Sequence, residues 1–218
     1  MQTSQLFKGA SLSQLRQCQS LPGRAVETSR LPYQARYRVY HHRAQTRIPA
    51  AYYRGGTSRA VFFQQKHLPQ NREQSAPIFR SIIGSPDSEH GRQLDGMGGG
   101  LSSLSKICVV SPSTDPDADV DYTFAAIGVQ NDEVDYSSNC GNMSSAVGPF
   151  AVDAGLVRPS APNEDQVTVR IRNTNTGKYI HSTFPVDEEG KAASYGDFSI
   201  DGVTGTSAKI ELTFVDPA

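Results

Sequence analysis

The clearest hydrophobic pattern in the chain is an apolar stretch of small residues that begins directly after a polar turn. It covers residues 143–154 and predicts a helix, which Gly155 would end as the residue just past its C-terminus. Because apolar side chains occur on every side of this helix, we expect other elements to enclose it. The polar turn carries Cys140 just before the predicted helix N-terminus, where free backbone N–H groups bind anions and favour a thiolate.

Segments of alternating or continuous apolar character predict strands around this helix. A short amphipathic helix is predicted over residues 76–83, with Pro77 in its first turn. Together these elements predict an α+β fold in which a mostly antiparallel β-sheet or barrel wraps around a central apolar helix. The predicted strands cover residues 48–53, 60–63, 107–110, 120–129, 166–172, 178–184, 197–200 and 208–215.

Two glycine-containing segments could present backbone N–H groups to an anion. The first, residues 54–58, joins the first two predicted strands and carries Arg54 as a counter-charge. The second has three successive glycines that allow close backbone approach to a ligand, and serines that add hydroxyl donors. An ordinary β-hairpin and a flexible loop are the alternative explanations, and neither segment has the spacing of a P-loop or a dinucleotide fingerprint. The candidate ligand-binding residues of these segments are Arg54, Thr57, Ser58, Gly98, Gly99, Gly100, Ser102 and Ser103.

Charge is distributed unevenly along the 218 residues, although the formal net charge is only −1. Residues 1–47 hold eight basic side chains and a single acid, Glu27, which leaves 13 basic and 21 acidic residues, a net charge of −8, in residues 48–218. An acidic body argues against nucleic acid as a partner. No apolar run approaches the ~20 residues needed to span a bilayer, so we expect no membrane insertion.

The basic segment 1–47 is rich in Arg, Ser and Gln and lacks the apolar core of a secretory signal. Its composition resembles a mitochondrial transit peptide, and a disordered tail is the alternative. We therefore predict a basic, disordered leader at residues 1–47, a folded body from residue 48, and a mitochondrial or cytoplasmic location.

Three cysteines, Cys18, Cys108 and Cys140, are too few and too widely spaced for a disulfide framework. No Cys/His pattern indicates a metal site, and a reducing compartment fits this cysteine usage best. Cys108 lies within a predicted buried strand and is expected to be a core residue. A cysteine hydrolase would need a histidine partner, and none of the histidines of residues 48–218 lies in such a motif.

Several motifs, in order along residues 48–218, resemble the PrpF-like family, which holds aconitate, methylaconitate and methylitaconate isomerases and oxalomesaconate tautomerase. The fold implied is that of diaminopimelate epimerase, with two similar lobes, each a β-sheet around a central helix, and the active site between them. Because family members are much longer, the resemblance implies that residues 48–218 are an N-terminal lobe without its C-terminal lobe. The motifs are Arg54–Ser58, Asp95–Gly100, Ser105–Lys106, Ser111–Ser113, Asn139–Phe150 and Arg172–Gly177.

The resemblance also implies a reaction and the residues that perform it. Lys106 and Cys140 correspond to the family's catalytic pair. The reaction implied is cofactor-independent: a proton and a double bond move, or cis and trans forms interconvert, in a small unsaturated di- or tricarboxylate such as aconitate or 2-methylaconitate. Members often carry lysine after the first motif where this chain has Arg59, so contacts there are less certain. Further substrate contacts are implied at Asn139, Gly141, Asn142 and Met143.

An alternative of a different class is that the chain is an inactive single-lobe fragment, a pseudoenzyme or a subunit of a split enzyme. A single lobe could not close the cleft and exclude water. In that case we expect the partner to be a complementary C-terminal lobe or a second copy in a homo-oligomer. Neither interpretation requires a cofactor, and no segment resembles a pyridoxal, nicotinamide, flavin or metal site.

Overall fold

In the computed structural model, residues 46–158 and 165–216 are described, and they contain eight strands and two α-helices. The predicted leader lies outside the described residues apart from its last two, so the division into a leader and a lobe stays a prediction. The helices are α1 Arg72–Ile83 and α2 Gly141–Asp153. The strands are β1 Ala51–Gly55, β2 Ser58–Gln64, β3 Lys106–Pro112, β4 Val120–Ile127, β5 Val134–Asp135, β6 Gln166–Asn173, β7 Tyr179–Pro185 and β8 Glu211–Val215.

The strands form one sheet in the order β1-β2-β3-β4-β6-β7-β8, with β5 paired to β4. Most neighbouring pairs are antiparallel, as predicted. The pairs β2–β3 and β4–β6 are parallel. Parallel neighbours need long crossover connections, and α1 and α2 lie in these two connections.

Helix α2 fills the inside of the sheet. Its residues Met143, Ala146, Val147 and Ala151 are fully buried in one core with side chains from β2, β3, β4, β6 and β7. The helix contacts strands near both ends of the sheet order, so the sheet must curve around it. The enclosed central helix and the α+β fold are therefore confirmed.

The two ends of α2 lie close to the predicted helix ends. Gly155 has a φ of 70°, as expected for a glycine just past a helix end. The helix starts at Gly141, two residues earlier than predicted, because Cys140 itself is the N-cap residue. Near the other end, Tyr53 Oη donates a 2.6 Å hydrogen bond to the Asp153 carboxylate. Burial, together with this bond, raises the pKa of Tyr53.

Helix α1 covers the opposite face of β2, β3 and β4, where a second core includes Phe79, Ile83 and Phe63. The helix begins at Arg72, and the Asn71 side chain caps it by accepting a 2.8 Å hydrogen bond from the backbone of Glu73. The predicted start at residue 76 was therefore wrong. The first turn is polar and gave no apolar signal, and Pro77 lies within the helix instead of in its first turn.

Two C-terminal strand predictions also need correction. Residues 197–200 form no strand, and Phe198 makes only an isolated bridge with Ser207. Strand β8 begins at Glu211, later than the predicted residue 208. Across the described residues, no helix is both long and apolar enough to cross a membrane.

The close contact between α2 and β7 generates a stability prediction. A Cβ on Gly148 would lie 2.6 Å from Ser182 Oγ and 2.7 Å from a ring carbon of Phe184. Although alanine is the better helix former, we expect Gly148→Ala to lower the free energy of unfolding by roughly 1–3 kcal/mol, because overpacking a well-packed core costs about this much. Urea denaturation measures the effect.

The matched control is Gly141→Ala in the same helix, where a Cβ would meet no atom within 4 Å. Its unfolding midpoint should stay close to that of the unmodified chain. Equal midpoints for the two variants would show that the α2–β7 contact is not tight.

Candidate active site

Cys140 lies at the N-cap of α2 with a half-buried thiol, and its carbonyl accepts the first helical hydrogen bond from Ser144 N at 2.9 Å. The backbone N–H groups of Gly141, Asn142 and Met143 belong to the first turn and have no acceptor within the helix. A Cβ on Gly141 would meet open space, so this end of the helix is approachable. The side chain of Met143 is buried in the core, so this residue offers a ligand only its backbone.

The first glycine turn packs directly against this helix end. A Cβ on Gly55 would collide with the carbonyl oxygen of Asn142, so glycine is required for the approach. The Asn142 side chain donates to Thr57 Oγ1 at 3.1 Å and to Ser58 Oγ at 3.3 Å. Thr57 is exposed and Ser58 is buried. The structure thus brings the turn at Arg54–Ser58 together with the cysteine turn.

Arg54 is half-buried in β1, and its side chain makes no hydrogen bond or ion pair with any residue that the structure describes. It lines a groove of about 360 Å³ together with Gly56, Gly141 and Asn142, and the opposite wall includes Phe198 and other apolar side chains. Among the described residues that line the groove, Arg54 is the only one with a charged side chain. The groove adjoins the helix N-terminus but is not lined by Cys140 or Lys106.

The second glycine-containing segment, residues 98–105, leads into Lys106, the first residue of β3. The carbonyl of Ser103 accepts a 2.9 Å hydrogen bond from Arg59 N, which ties this segment to the first hairpin. Ser102 is exposed and Ser103 is half-buried. Ser103 therefore lies next to the first hairpin, and the substrate contacts predicted for the two serines stay predictions.

The amides of Gly98 and Gly100, expected to be free donors, are already engaged. Gly98 N donates to the carbonyl of Ile83 at 3.0 Å, and Gly100 N donates to Gln93 Oε1 at 3.0 Å. Gly99 and Gly100 have φ values of 72° and 73°, which glycine adopts without strain. The interpretation of the Gly98 and Gly100 amides as anion donors is therefore corrected: Gly98 N closes the end of α1, and Gly100 N is held by the Gln93 side chain. The contact predicted at Gly99 stays a prediction.

Gln93 is a buried residue that links several parts of the loop between α1 and β3, and the sequence had not indicated this role. Besides Gly100 N, its Oε1 accepts from Ser105 Oγ at 2.8 Å, and its Nε2 donates to Ser85 Oγ at 2.7 Å. The Asp87 carboxylate accepts from the backbone of Arg92 and Gln93 at 2.8 and 2.9 Å. A lone glutamine in a polar stretch carries no pattern, so no sequence signal pointed to it.

Lys106 lies at the edge of the core, with its Nζ 5.1 Å from the centroid of the Phe124 ring. Cys108, two residues later on the same face of β3, is fully buried, and its Sγ lies 3.8 Å from Tyr122 Oη. Burial raises the pKa of Cys108, and the contact with Tyr122 and the nearby Lys106 ammonium offset only part of this rise.

Asn139 is half-buried next to Cys140. Its Oδ1 accepts from Ser144 Oγ at 3.1 Å and, at a long 3.5 Å, from Asn173 Nδ2. These contacts support the cysteine turn, and the substrate contact at Asn139 stays a prediction. Among the described residues, no group of three or more His, Cys, Asp or Glu side chains could hold a metal ion.

Fold and site together define a helix-centred β-sheet lobe with a thiol at the helix N-cap and a lysine at the start of a neighbouring strand. The chain belongs to the PrpF family, because residues 45–218 match the family model described as PrpF protein. The α+β fold and the family resemblance are thereby confirmed.

Named relatives agree with this family membership. The chain is 47% identical over 182 residues to 2-methyl-aconitate isomerase of Cupriavidus necator, covering 81% of this chain and 46% of the relative. It is 45% identical over 174 residues to 3-methylitaconate isomerase of Eubacterium barkeri, covering 80% and 44%. The crystal structure of methylitaconate-delta-isomerase superposes with a TM-score of 0.69 at 45% identity, covering 75% of this chain and 41% of that one. The chain thus spans less than half the length of these relatives.

The different burial of the two described thiols predicts selective alkylation. Cys140 is half-buried, whereas Cys108 is fully buried and has a raised pKa, so it stays protonated and protected. Iodoacetamide should modify Cys140 in the folded chain and leave Cys108 unmodified until the chain unfolds. Peptide mass spectrometry after timed alkylation measures this, with a denatured sample as the control. Equally fast labelling of the two thiols would contradict the arrangement.

The loop between α1 and β3, which contains the three successive glycines, should contribute less to the stability of the fold in acid. Backbone N–H donors from Arg92, His90 and Gln93 lower the pKa of Asp87 from 3.8 to about 2. Because the native pKa lies below the unfolded value, its stabilising contribution is complete above the unfolded pKa and is lost as the pH falls through the native pKa. Asp87→Asn should therefore lower the urea midpoint at neutral pH, and the difference should shrink at roughly pH 3 and below.

Asp95→Asn is the control, since Asp95 is an exposed carboxylate of the same loop with no hydrogen bond to the described residues. Its midpoint should match that of the unmodified chain at neutral pH. A deficit of Asp87→Asn that stays constant with pH would contradict the role of the carboxylate charge.

Proposed function

We propose that this chain acts in the cofactor-independent isomerisation of a small unsaturated di- or tricarboxylate, with Lys106 and Cys140 exchanging the proton. The observation that carries the proposal is the convergence of the hairpin turn, the Lys106 segment and the cysteine turn at one end of α2. Family membership supports the reaction class, since relatives are named 2-methyl-aconitate isomerase and 3-methylitaconate isomerase.

The electrostatics of this region suit a carboxylate ligand. The unpaired N–H groups of Gly141 and Asn142 lie at the positive end of the α2 dipole, and helix N-termini favour anions. Arg54 adds a positive charge in the adjoining groove. We therefore assign carboxylate binding to the helix N-terminus and Arg54, and no longer to the Gly98 and Gly100 amides.

The chemical step is the removal of a proton from an allylic carbon of the bound acid. The electrons of the broken C–H bond spread over the allylic system and onto carboxylate oxygen, where fixed N–H donors stabilise the developing charge. A proton then adds at the other allylic carbon, which moves the double bond, or returns after rotation, which interconverts cis and trans forms. One of Lys106 and Cys140 accepts the first proton and the other donates the second.

The surroundings of the pair support roles in proton transfer. Lys106 lies against the Phe124 ring, with no carboxylate partner among the described residues, so its amino group remains available. Cys140 has no side-chain hydrogen bond to the helix it caps. The Lys106 amino group and the Cys140 thiol are therefore both left available to a substrate.

The test is proton exchange from D₂O into substrate, followed by NMR over a panel that contains aconitate, 2-methylaconitate and methylitaconate. Cys140→Ser and Lys106→Ala should each reduce deuterium uptake to background, because each removes one of the two groups that exchange the proton. Lys66→Ala is the matched control, since Lys66 is exposed on the 3₁₀ turn after β2 and should leave uptake unchanged.

Normal deuterium uptake by either site variant would remove that residue from the mechanism. A chain that exchanges protons with none of the acids would overturn the proposed activity. Deuterium uptake that favours one acid of the panel would identify the substrate within this class.

A further inference from the structure

Strand β4 has a gap in its hydrogen bonding next to the proposed site. Along the edge away from β3, β6 pairs with β4 as far as Tyr122, and β5 pairs with it only from Ala126 onward. Phe124 lies between these two segments without a backbone partner strand on that edge. A buried strand position of this kind needs another source of hydrogen bonds.

The Asn175 side chain supplies those bonds. Its Oδ1 accepts from Phe124 N at 2.8 Å, and its Nδ2 donates to Phe124 O at 2.8 Å. One carboxamide thus pairs with both backbone groups of a single residue, as a neighbouring strand would. Asn175 lies in the loop between β6 and β7, which the sequence had predicted to be a hairpin loop.

The same amide group also holds the segment that carries the thiol. Asn175 Nδ2 donates a second hydrogen bond, of 2.7 Å, to the carbonyl of Tyr136, four residues before Cys140. The fully buried Asn173 adds a 3.3 Å bond to Asn175 Oδ1 and the long contact to Asn139. The cysteine turn is therefore tied to the same strand position as Phe124.

Phe124 is also the residue whose ring contacts the Lys106 ammonium. We propose that Asn175 is a positioning residue that fixes the Cys140 turn relative to Lys106 by bridging the Phe124 backbone and the Tyr136 carbonyl. Its catalytic consequence rests on the proposed function, because positioning matters only if the two groups handle one substrate. The bridge itself can be tested without turnover.

Asn175→Asp is the sharpest test. The carboxylate can still accept from Phe124 N, but it presents oxygen to the two carbonyls that the amide had served. We expect the turn to be released, and the iodoacetamide reaction rate of Cys140 in the 218-residue chain to rise several-fold. Cys108 should stay protected, because its burial depends on the core and not on the turn.

The two thiols separate positioning from general destabilisation. Faster labelling of Cys140 alone supports the bridge, whereas parallel acceleration of both thiols, or no change at Cys140, overturns it. Thr168→Ala is the matched control, because it removes an exposed side-chain hydrogen bond between Thr168 and Thr183 of β6 and β7 and should leave Cys140 labelling unchanged. If Asn175→Asp does not fold, Asn175→Ala removes the same hydrogen bonds without adding a charge.

Deuterium exchange gives the catalytic readout. Asn175→Asp should lower kcat by roughly tenfold to a hundredfold with little change in KM, since small misplacements of catalytic groups carry costs of this size. An unchanged kcat would overturn the positioning role. If the unmodified chain exchanges no proton, the proposed function fails, while the labelling result still decides whether Asn175 holds the turn.

Discussion

The enclosure of α2 is the constraint on which the rest of this structure depends. A helix that is apolar on nearly every side is stable in water only if other elements cover all of it. The sheet meets this requirement by curving around α2, and the buried Met143 and Ala151 lie against several strands at once. The helix cannot satisfy its own first-turn N–H groups, so its N-terminus supplies unpaired donors wherever it emerges.

Side-chain amides hold the loops around that helix end. Asn142 bridges α2 to the first hairpin, Gln93 organises the glycine loop, and Asn175 completes the edge of β4. A carboxamide carries a donor and an acceptor in one plane, so it can replace a missing backbone partner. Irregular loops can thus approach one another closely while the backbone groups that these amides contact stay paired.

The site residues suggested by the sequence fall into two groups. Residues next to Cys140, such as Gly141 and Asn142, lie at the accessible helix end. Gly98 and Gly100 do not offer free amides, because Ile83 and Gln93 already accept from them. Composition can mark a segment as able to approach a ligand, but it cannot show that another part of the chain already occupies its donors.

Local sequence determined the elements and the order of the motifs. The apolar run, the polar turn and Gly155 were sufficient to place α2 and its thiol, because helix ends are set by neighbouring residues. The parallel pairing of β4 with β6, the cover by α1 and the bridge at Asn175 were decided only by the tertiary structure. These depend on contacts between residues far apart in the chain, which no local pattern records.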